Sequence, residues 1–243
     1  MTAAAASGLF ITFEGGDGSG KSTQAALLTD WLEEGGRTVV RSREPGGTDV
    51  GNEIREIVLH HRGEITPRAE ALLYAADRAH HIATKIRPAI DRGDIVIQDR
   101  YLDSSVAYQG AGRVLDATQV RMLSLWAAED LLPDLTILLD LDETRARGRL
   151  DAARTRYDRL EAEAGEFHAR VRAAYLDLAA AEPGRFLVLD ATEPVERIAE
   201  RIRDRVGTLL AREGSGATGA GGATEAGGDG GETGSQDAVS RGR

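Results

Sequence analysis

The sequence holds no cysteine in 243 residues, which excludes disulfides and cysteine-ligated zinc sites. It also lacks any stretch approaching the ~18 consecutive apolar residues of a membrane span, so no membrane partner is expected. Positive charge is in deficit: 30 Lys and Arg against 40 Asp and Glu give a net charge of −10, which argues against affinity for nucleic-acid backbones. Residues 213–243 are short of large aliphatic side chains, Val239 being the only one. Such a stretch cannot bury enough apolar surface to offset the entropy of ordering it, so a disordered, Gly-rich acidic tail is expected. Residues 1–8 read as a flexible start, and "TAAAAS" at Thr2–Ser7 lacks the basic segment of a secretory signal. One domain over 9–212, in a cytoplasmic protein, is the expectation.

Five short apolar runs read as strands: Leu9–Phe13, Thr38–Ser42, Ile95–Gln98, Leu135–Leu139 and Phe186–Leu189. Longer stretches with helical apolar spacing lie between them, among them Ala69–Ile90, Ala117–Leu131 and Val195–Leu210. The alternation predicts an α/β three-layer sandwich, a five-stranded parallel sheet flanked by helices on both faces. "IVIQ" and "LTILL" are almost continuously apolar, as strands buried on both faces should be. Ligands of such sheets sit beyond the carboxyl ends of the strands. Three of the runs lead there into polar residues: Glu14–Lys21, Arg43-Glu44 and Asp99-Arg100.

The turn after the first strand, "GGDGSGKS", fits G-x-x-x-x-G-K-[ST], a P-loop. Its glycines, Gly15, Gly16, Gly18 and Gly20, let backbone N–H groups converge on phosphate oxygens at a helix N-terminus. Ser19 and Thr23 belong to the same cradle, Lys21 reaches the β- and γ-phosphates, and Ser22 is placed to hold Mg²⁺. The loop therefore predicts ATP or another nucleoside triphosphate with its Mg²⁺. The motif leaves GTPase, ATPase and kinase open. No guanine-specifying N-K-x-D is present, and the lone Asp99 after "IVIQ" is not the acidic pair of an ATPase motor. An isolated Asp99-Arg100 pair closing a buried strand is costly without partners, so a ligand or metal is expected there. The histidine pairs His60-His61 and His80-His81 lack metal-ligand spacing and read as surface residues.

"FEGGDGSGKST", "REPGGT", "LLYAADRAHH", "DRYLDSSVAYQG" and the arginine-rich 143–166 occur in an order and spacing that resembles the thymidylate (dTMP) kinases over nearly all of Leu9–Leu210. The phosphate loop is shared by many families, whereas the Asp99-Arg100-Tyr101 element with "AYQG", together with "REPGG", is narrower. The resemblance implies ATP-dependent phosphorylation of dTMP to dTDP, with Mg²⁺, by a homodimer. It places Asp17 near the acceptor's 3′-hydroxyl and the metal, and Asp99 at the metal and its waters. It sets Arg43 and Pro45 against the acceptor, stacks Tyr74 on thymine and turns Arg78 to the base's carbonyl edge. Arg100 meets the acceptor's 5′-phosphate, while Ser104, Ser105, Tyr108 and Gln109 line thymine and sugar. Gly18 stands where some members carry an arginine, so the catalytic cations are expected on a lid at about 143–160. Arg149, Arg154, Arg156 and Arg159 are the lid's candidates, and the resemblance favours Arg154 and Arg159 as catalytic beside Lys21, Asp17 and Arg100. Two rivals stand beside this reading: a kinase of another pyrimidine monophosphate or of a deoxynucleoside, and a switch protein that only binds nucleotide.

Overall fold

The computed structural model of the chain describes residues 8–113, 115–153 and 158–218. Five strands, β1 (Phe10–Glu14), β2 (Val39–Arg43), β3 (Ile95–Asp99), β4 (Leu135–Asp140) and β5 (Phe186–Asp190), form one sheet in the order β2-β3-β1-β4-β5. Every pairing is parallel, with Phe13 beside Asp99 and also beside Ile137. The five expected strands are present, with ends shifted by one residue.

The helices are α1 (Lys21–Glu34), α2 (Asp49–His60), α3 (Pro67–His81), α4 (Arg87–Asp91), α5 (Leu102–Ser105), α6 (Ala117–Ala127), α7 (Glu143–Ala153), α8 (Gly165–Ala181) and α9 (Val195–Thr218). A π-helical turn, Ile82–Ile86, runs α3 into α4, and a second, Val106–Gly112, follows α5. Side chains alternate across a strand, so each strand feeds two cores. Ile11 and Phe13 pack with Leu28 and Leu32 of α1 and Ile198 and Ile202 of α9. Phe10 turns the other way, toward Ile82, Ile86, Tyr101 and Leu102. On that second face Leu138 meets Val171 and Tyr175 of α8. These are the three layers that the pattern predicts.

Three boundaries differ from the expectation. The α6 helix stops at Ala127 rather than Leu131, because Glu129 and Asp130 take left-handed φ values of 48° and 55°. Within 143–166, α7 is helical, residues 158–164 form turns, and α8 starts at Gly165. The backbone of α9 continues to Thr218, past the expected domain end at 212. A helix already anchored on a core extends by one hydrogen bond per residue, without a new nucleus.

β1 lies at the centre, between β3 and β4, where the direction of strand succession reverses. The crevice at the carboxyl ends of β1 and β3 is therefore the site that this topology offers.

Candidate active site

The loop from Gly15 to Ser22 joins β1 to α1. At Gly15, φ is +127° and a Cβ would stand 2.4 Å from the Leu139 carbonyl oxygen, so no side chain fits there. At Gly18, φ is +78° and a Cβ would lie 2.9 Å from the Ala146 carbonyl oxygen of α7. An arginine at position 18 would need that space, which explains the glycine. Gly20 opens α1 without a side-chain cap, and no acidic residue stands in the first turn. The free N–H groups are thus left for an anion. Lys21 is buried, and its Nζ donates to the carbonyls of Gly15 (3.1 Å) and Gly16 (2.9 Å). Burial first, then the charge of Arg100, hold its pKa below the usual lysine range. Ser19 is buried with its Oγ unpartnered, whereas Ser22 and Thr23 are exposed.

Arg100 follows β3 in a left-handed conformation, φ +65°, uncommon for a non-glycine residue and worth roughly 1–3 kcal/mol of strain. Its N–H donates to the Phe13 carbonyl at 3.0 Å, which ties it to the strand that leads into the phosphate loop. The guanidinium donates to Asp17 Oδ1 at 2.6 Å and lies 5.0 Å from the centre of the Tyr108 ring. Nη1 also donates to the hydroxyls of Ser104 and Tyr175, each at 3.3 Å. Both hydroxyls in turn donate to Glu14 Oε2, at 2.6 and 2.9 Å, while the Tyr101 N–H donates to Oε1 at 2.7 Å. Glu14 is fully buried; burial, and then the charge of Asp103, push its pKa up to about 7. Burial also works against an ionised Asp17, but Arg100 and Lys21 outweigh it and keep that carboxyl well below the usual carboxylate range. For Arg100 burial opposes the charge, Asp17 overrides it, and the pKa lies well above the usual value.

A cavity of about 510 Å³ opens over this pair, within the range of small-molecule sites. All nine expected acceptor residues line it: Arg43, Pro45, Tyr74, Arg78, Arg100, Ser104, Ser105, Tyr108 and Gln109. So do Asp17, Gly18, Gly20, Lys21, Ser22, Thr23 and Asp99, whereas Gly15 and Gly16 face a smaller cavity under α7. Several polar groups here have no internal partner: the Tyr108 hydroxyl, Arg78 Nε and Asp99 Oδ1 are buried without hydrogen bonds. Buried polar groups are normally satisfied, so three orphans on one cavity wall point to a polar occupant. Asp99 Oδ1 and the Ser22 hydroxyl share that wall, which suits Mg²⁺ bound by one or two protein oxygens, phosphates and water. Among the described residues no three acidic or histidine groups cluster as a closed metal cage.

Arg78 is held from three sides: an ion pair with Glu44 at 2.8 Å and bonds to the hydroxyls of Ser105 and Ser124, each at 3.2 Å. The expectation for the histidines fails at His81, which is buried and contacts Ser42 Oγ (2.7 Å) and Glu44 Oε1 (3.2 Å). Neighbours on a helix point about 100° apart, so His80 and His81 diverge and only the latter turns inward. The lid arginines divide. Arg154 and Arg156 lie outside the described residues. Arg159 is paired with buried Glu70 and donates to the Val58 carbonyl at 2.9 Å, so it does not line the cavity. Arg149, on α7, does line it and reaches the carbonyls of Gly18 (3.4 Å) and Ala191 (2.9 Å).

Several residues escape the sequence reading. Glu14 reads as one polar residue among many after a strand, and Tyr175 comes from α8, far along the chain. Arg55 of α2 lines the cavity and donates to the Pro45 carbonyl at 2.9 Å; one arginine in an amphipathic helix carries no distinguishing signal.

Residues 13–202 match the family model for thymidylate kinase. The thymidylate kinase of Leifsonia xyli subsp. xyli (strain CTCB07) is 78% identical over 199 residues, 82% of this chain and 94% of that protein. That of Bifidobacterium longum subsp. infantis is 53% identical over 208 residues, covering 84% and 88%. The crystal structure of thymidylate kinase from Ehrlichia chaffeensis superimposes with a TM-score of 0.67 at 32% identity, covering 82% of this chain and 99% of that one. With a phosphate loop, a second arginine-built wall and these relatives, the chain belongs to the thymidylate kinase family.

Proposed function

We propose that the chain transfers the γ-phosphoryl group of ATP to dTMP, giving ADP and dTDP. The observation that carries the reading is one cavity holding two anion sites, the loop of Lys21 and the wall of Arg43, Arg55 and Arg100, joined by the Arg100–Asp17 pair. A nucleotide switch has no use for the second site.

The loop's N–H groups and Lys21 take the donor's phosphates. When they arrive, Lys21 exchanges the carbonyls of Gly15 and Gly16 for phosphate oxygens. The acceptor's 5′-phosphate seats on the planar fork of Arg100, which the hydroxyls of Ser104 and Tyr175 aim from below. An anionic phosphate is already a nucleophile, so no general base is needed; positioning and cationic charge lower the barrier. Tyr74 and Tyr108 line the cavity and would give the base and sugar their apolar walls, and a 2′-hydroxyl would crowd Tyr108. Ser22 and Asp99 would hold Mg²⁺, whose chemistry is to neutralise charge across the phosphates; Asp17 faces Arg100 and the acceptor. Arg149 is the lid cation already against the loop, and Arg159 would have to leave Glu70 to join it.

A homodimer is supported by exposed apolar side chains on α2, α3 and α6: Ile57, Leu72, Met122 and Trp126, the last 79% exposed. Patches of this kind on neighbouring helices are what a second copy would cover. No helix among the described residues is long and apolar enough to cross a membrane. ADP release from ATP–Mg²⁺ over a panel of dTMP, dUMP, dCMP, UMP, CMP, AMP and GMP tests the reading. Strong dependence on dTMP with little on UMP is expected; release indifferent to every acceptor would leave only a nucleotide-binding loop.

A further inference from the structure

Glu70 lies in the first turn of α3, fully buried, and does not itself line the cavity. Gln109 Nε2 donates to its Oε1 at 3.0 Å. Arg113 reaches both oxygens, from Nε at 3.5 Å and Nη2 at 3.4 Å, and Arg159 completes the set through an ion pair to Oε2. Arg113 is itself fixed, by Glu163 at 2.6 Å and by the ring of Phe167 at 5.0 Å. This carboxylate is more than a support for the lid, because its one amide partner faces the acceptor.

A glutamine amide fits a pocket in two orientations of nearly equal shape. A carboxylate paired with guanidinium groups accepts hydrogen bonds and does not donate them, so only the nitrogen end of Gln109 can face Glu70. Its carbonyl Oε1, which has no donor among the described residues, is left for the cavity that Gln109 lines. Arg78 lines the same cavity, with a buried and unpartnered Nε–H. With Arg78 as the donor to a carbonyl, the role expected of it from the resemblance, the pair presents one acceptor and one donor to the base.

We propose that Glu70 is a specificity-determining positioning residue: it fixes the Gln109 amide with its carbonyl toward the acceptor, and so selects a base that carries an N–H beside a carbonyl. The inference rests on the phosphoryl-transfer reading above and names what decides among acceptors of the same size. Thymine and uracil present that edge. Cytosine presents a ring-nitrogen lone pair and an amino group, which set lone pair against lone pair and N–H against N–H. Sites built to hydrogen-bond a substrate reject a mismatched analogue strongly, because their own buried groups are then left unpaired.

The test compares kcat/KM for dTMP and dCMP in the unaltered chain and in Glu70→Gln. An amide at position 70 both donates and accepts, so Gln109 is free to turn either way. The dTMP/dCMP ratio is expected to fall by roughly 10-fold or more, with the KM for ATP unchanged. Loss of the Arg159 pairing slows both acceptors alike and cancels in the ratio. Equal losses for the two acceptors, with the ratio held within about twofold of the unaltered chain's, would overturn the proposal. If Glu70→Gln does not fold, judged by circular dichroism, the side-chain amide protons of Gln109 in the unaltered chain decide instead. Assigned by their disappearance in Gln109→Met, one of them should be shifted downfield and slow to exchange; a freely rotating, fast-exchanging pair would overturn it. That readout needs no turnover. An unaltered chain that ignores dTMP would therefore count against the kinase reading while the amide orientation is still judged.

Discussion

The two walls of the cavity are made in opposite ways. The phosphate loop is local: eight consecutive residues, mostly backbone and glycine, supply it. The acceptor wall draws side chains from β2, α2, α3, the end of β3 and the turns after α5, and α8 braces it through Tyr175. The loop works through N–H groups that cost little to leave facing solvent. Behind and within the acceptor wall stand charges, Glu14, Glu44, Glu70 and Arg78 buried and Arg100 half-buried, that are tolerable only because each is partnered. Damage to the loop should therefore remove chemistry and spare the fold, whereas damage to the wall should cost both.

Lys21→Ala gives the largest effect on rate. Turnover should fall by roughly 10³-fold or more, with dTMP affinity by calorimetry unchanged within error. A parallel loss of dTMP binding would show that the walls are not separable. Tyr108→Phe is milder: it removes an unpartnered hydroxyl, keeps the ring over Arg100 and leaves the fold intact. Discrimination of dTMP against TMP, its ribose counterpart, should drop by about 10-fold, read from kcat/KM for the two. An unchanged ratio would remove the Tyr108 hydroxyl from sugar selection.

Glu14 and Asp77 sharpen the contrast in stability. Burial, and then the charge of Glu44, push Asp77 up to about 7, as burial and Asp103 do for Glu14. A carboxyl whose pKa rises on folding binds its proton more tightly in the native state. Its stabilising contribution is thus fully present below the unfolded value, near 4.5 for Glu14, and is lost as pH rises through about 7. Glu14→Gln cannot lose it. Thermal unfolding followed from pH 4.5 to 8 should show Glu14→Gln gaining on the unaltered chain by up to roughly 3 kcal/mol. A constant difference across that range would mean that Glu14 does not titrate there. Arg149→Ala should lower turnover by more than Arg159→Ala does as long as Arg159 stays on Glu70, and the reverse order would show that the lid rearranges during the cycle.

How much of this was legible in the sequence follows from the same contrast. The sheet was legible because strands buried on both faces must be apolar throughout, and the loop because its chemistry lies in consecutive residues. Arg100 stood out as half of an isolated charged pair closing a buried strand, whereas Tyr108 and Gln109 were reached only through a resemblance, since no spacing rule joins them to Lys21. Glu14, Glu70 and Tyr175 were not reached at all. A buried carboxylate that orients another residue carries no local pattern, and its partners lie up to 161 positions away, as Tyr175 does from Glu14. His81 misled for a related reason: which histidine of a pair turns inward depends on the rotation of α3 against β2.

On this reading Arg100 makes the second anion site, and that site, rather than the loop alone, makes the chain a transferase. The most direct measurement is ADP release from ATP–Mg²⁺ by the unaltered chain and by Arg100→Lys, with and without dTMP. Lysine keeps a charge opposite Asp17 but loses the planar fork. dTMP should strongly accelerate ADP release in the unaltered chain, and Arg100→Lys should lose about 100-fold or more of that acceleration, while its slow release without dTMP stays unchanged. An Arg100→Lys chain that still responds fully to dTMP would contradict it.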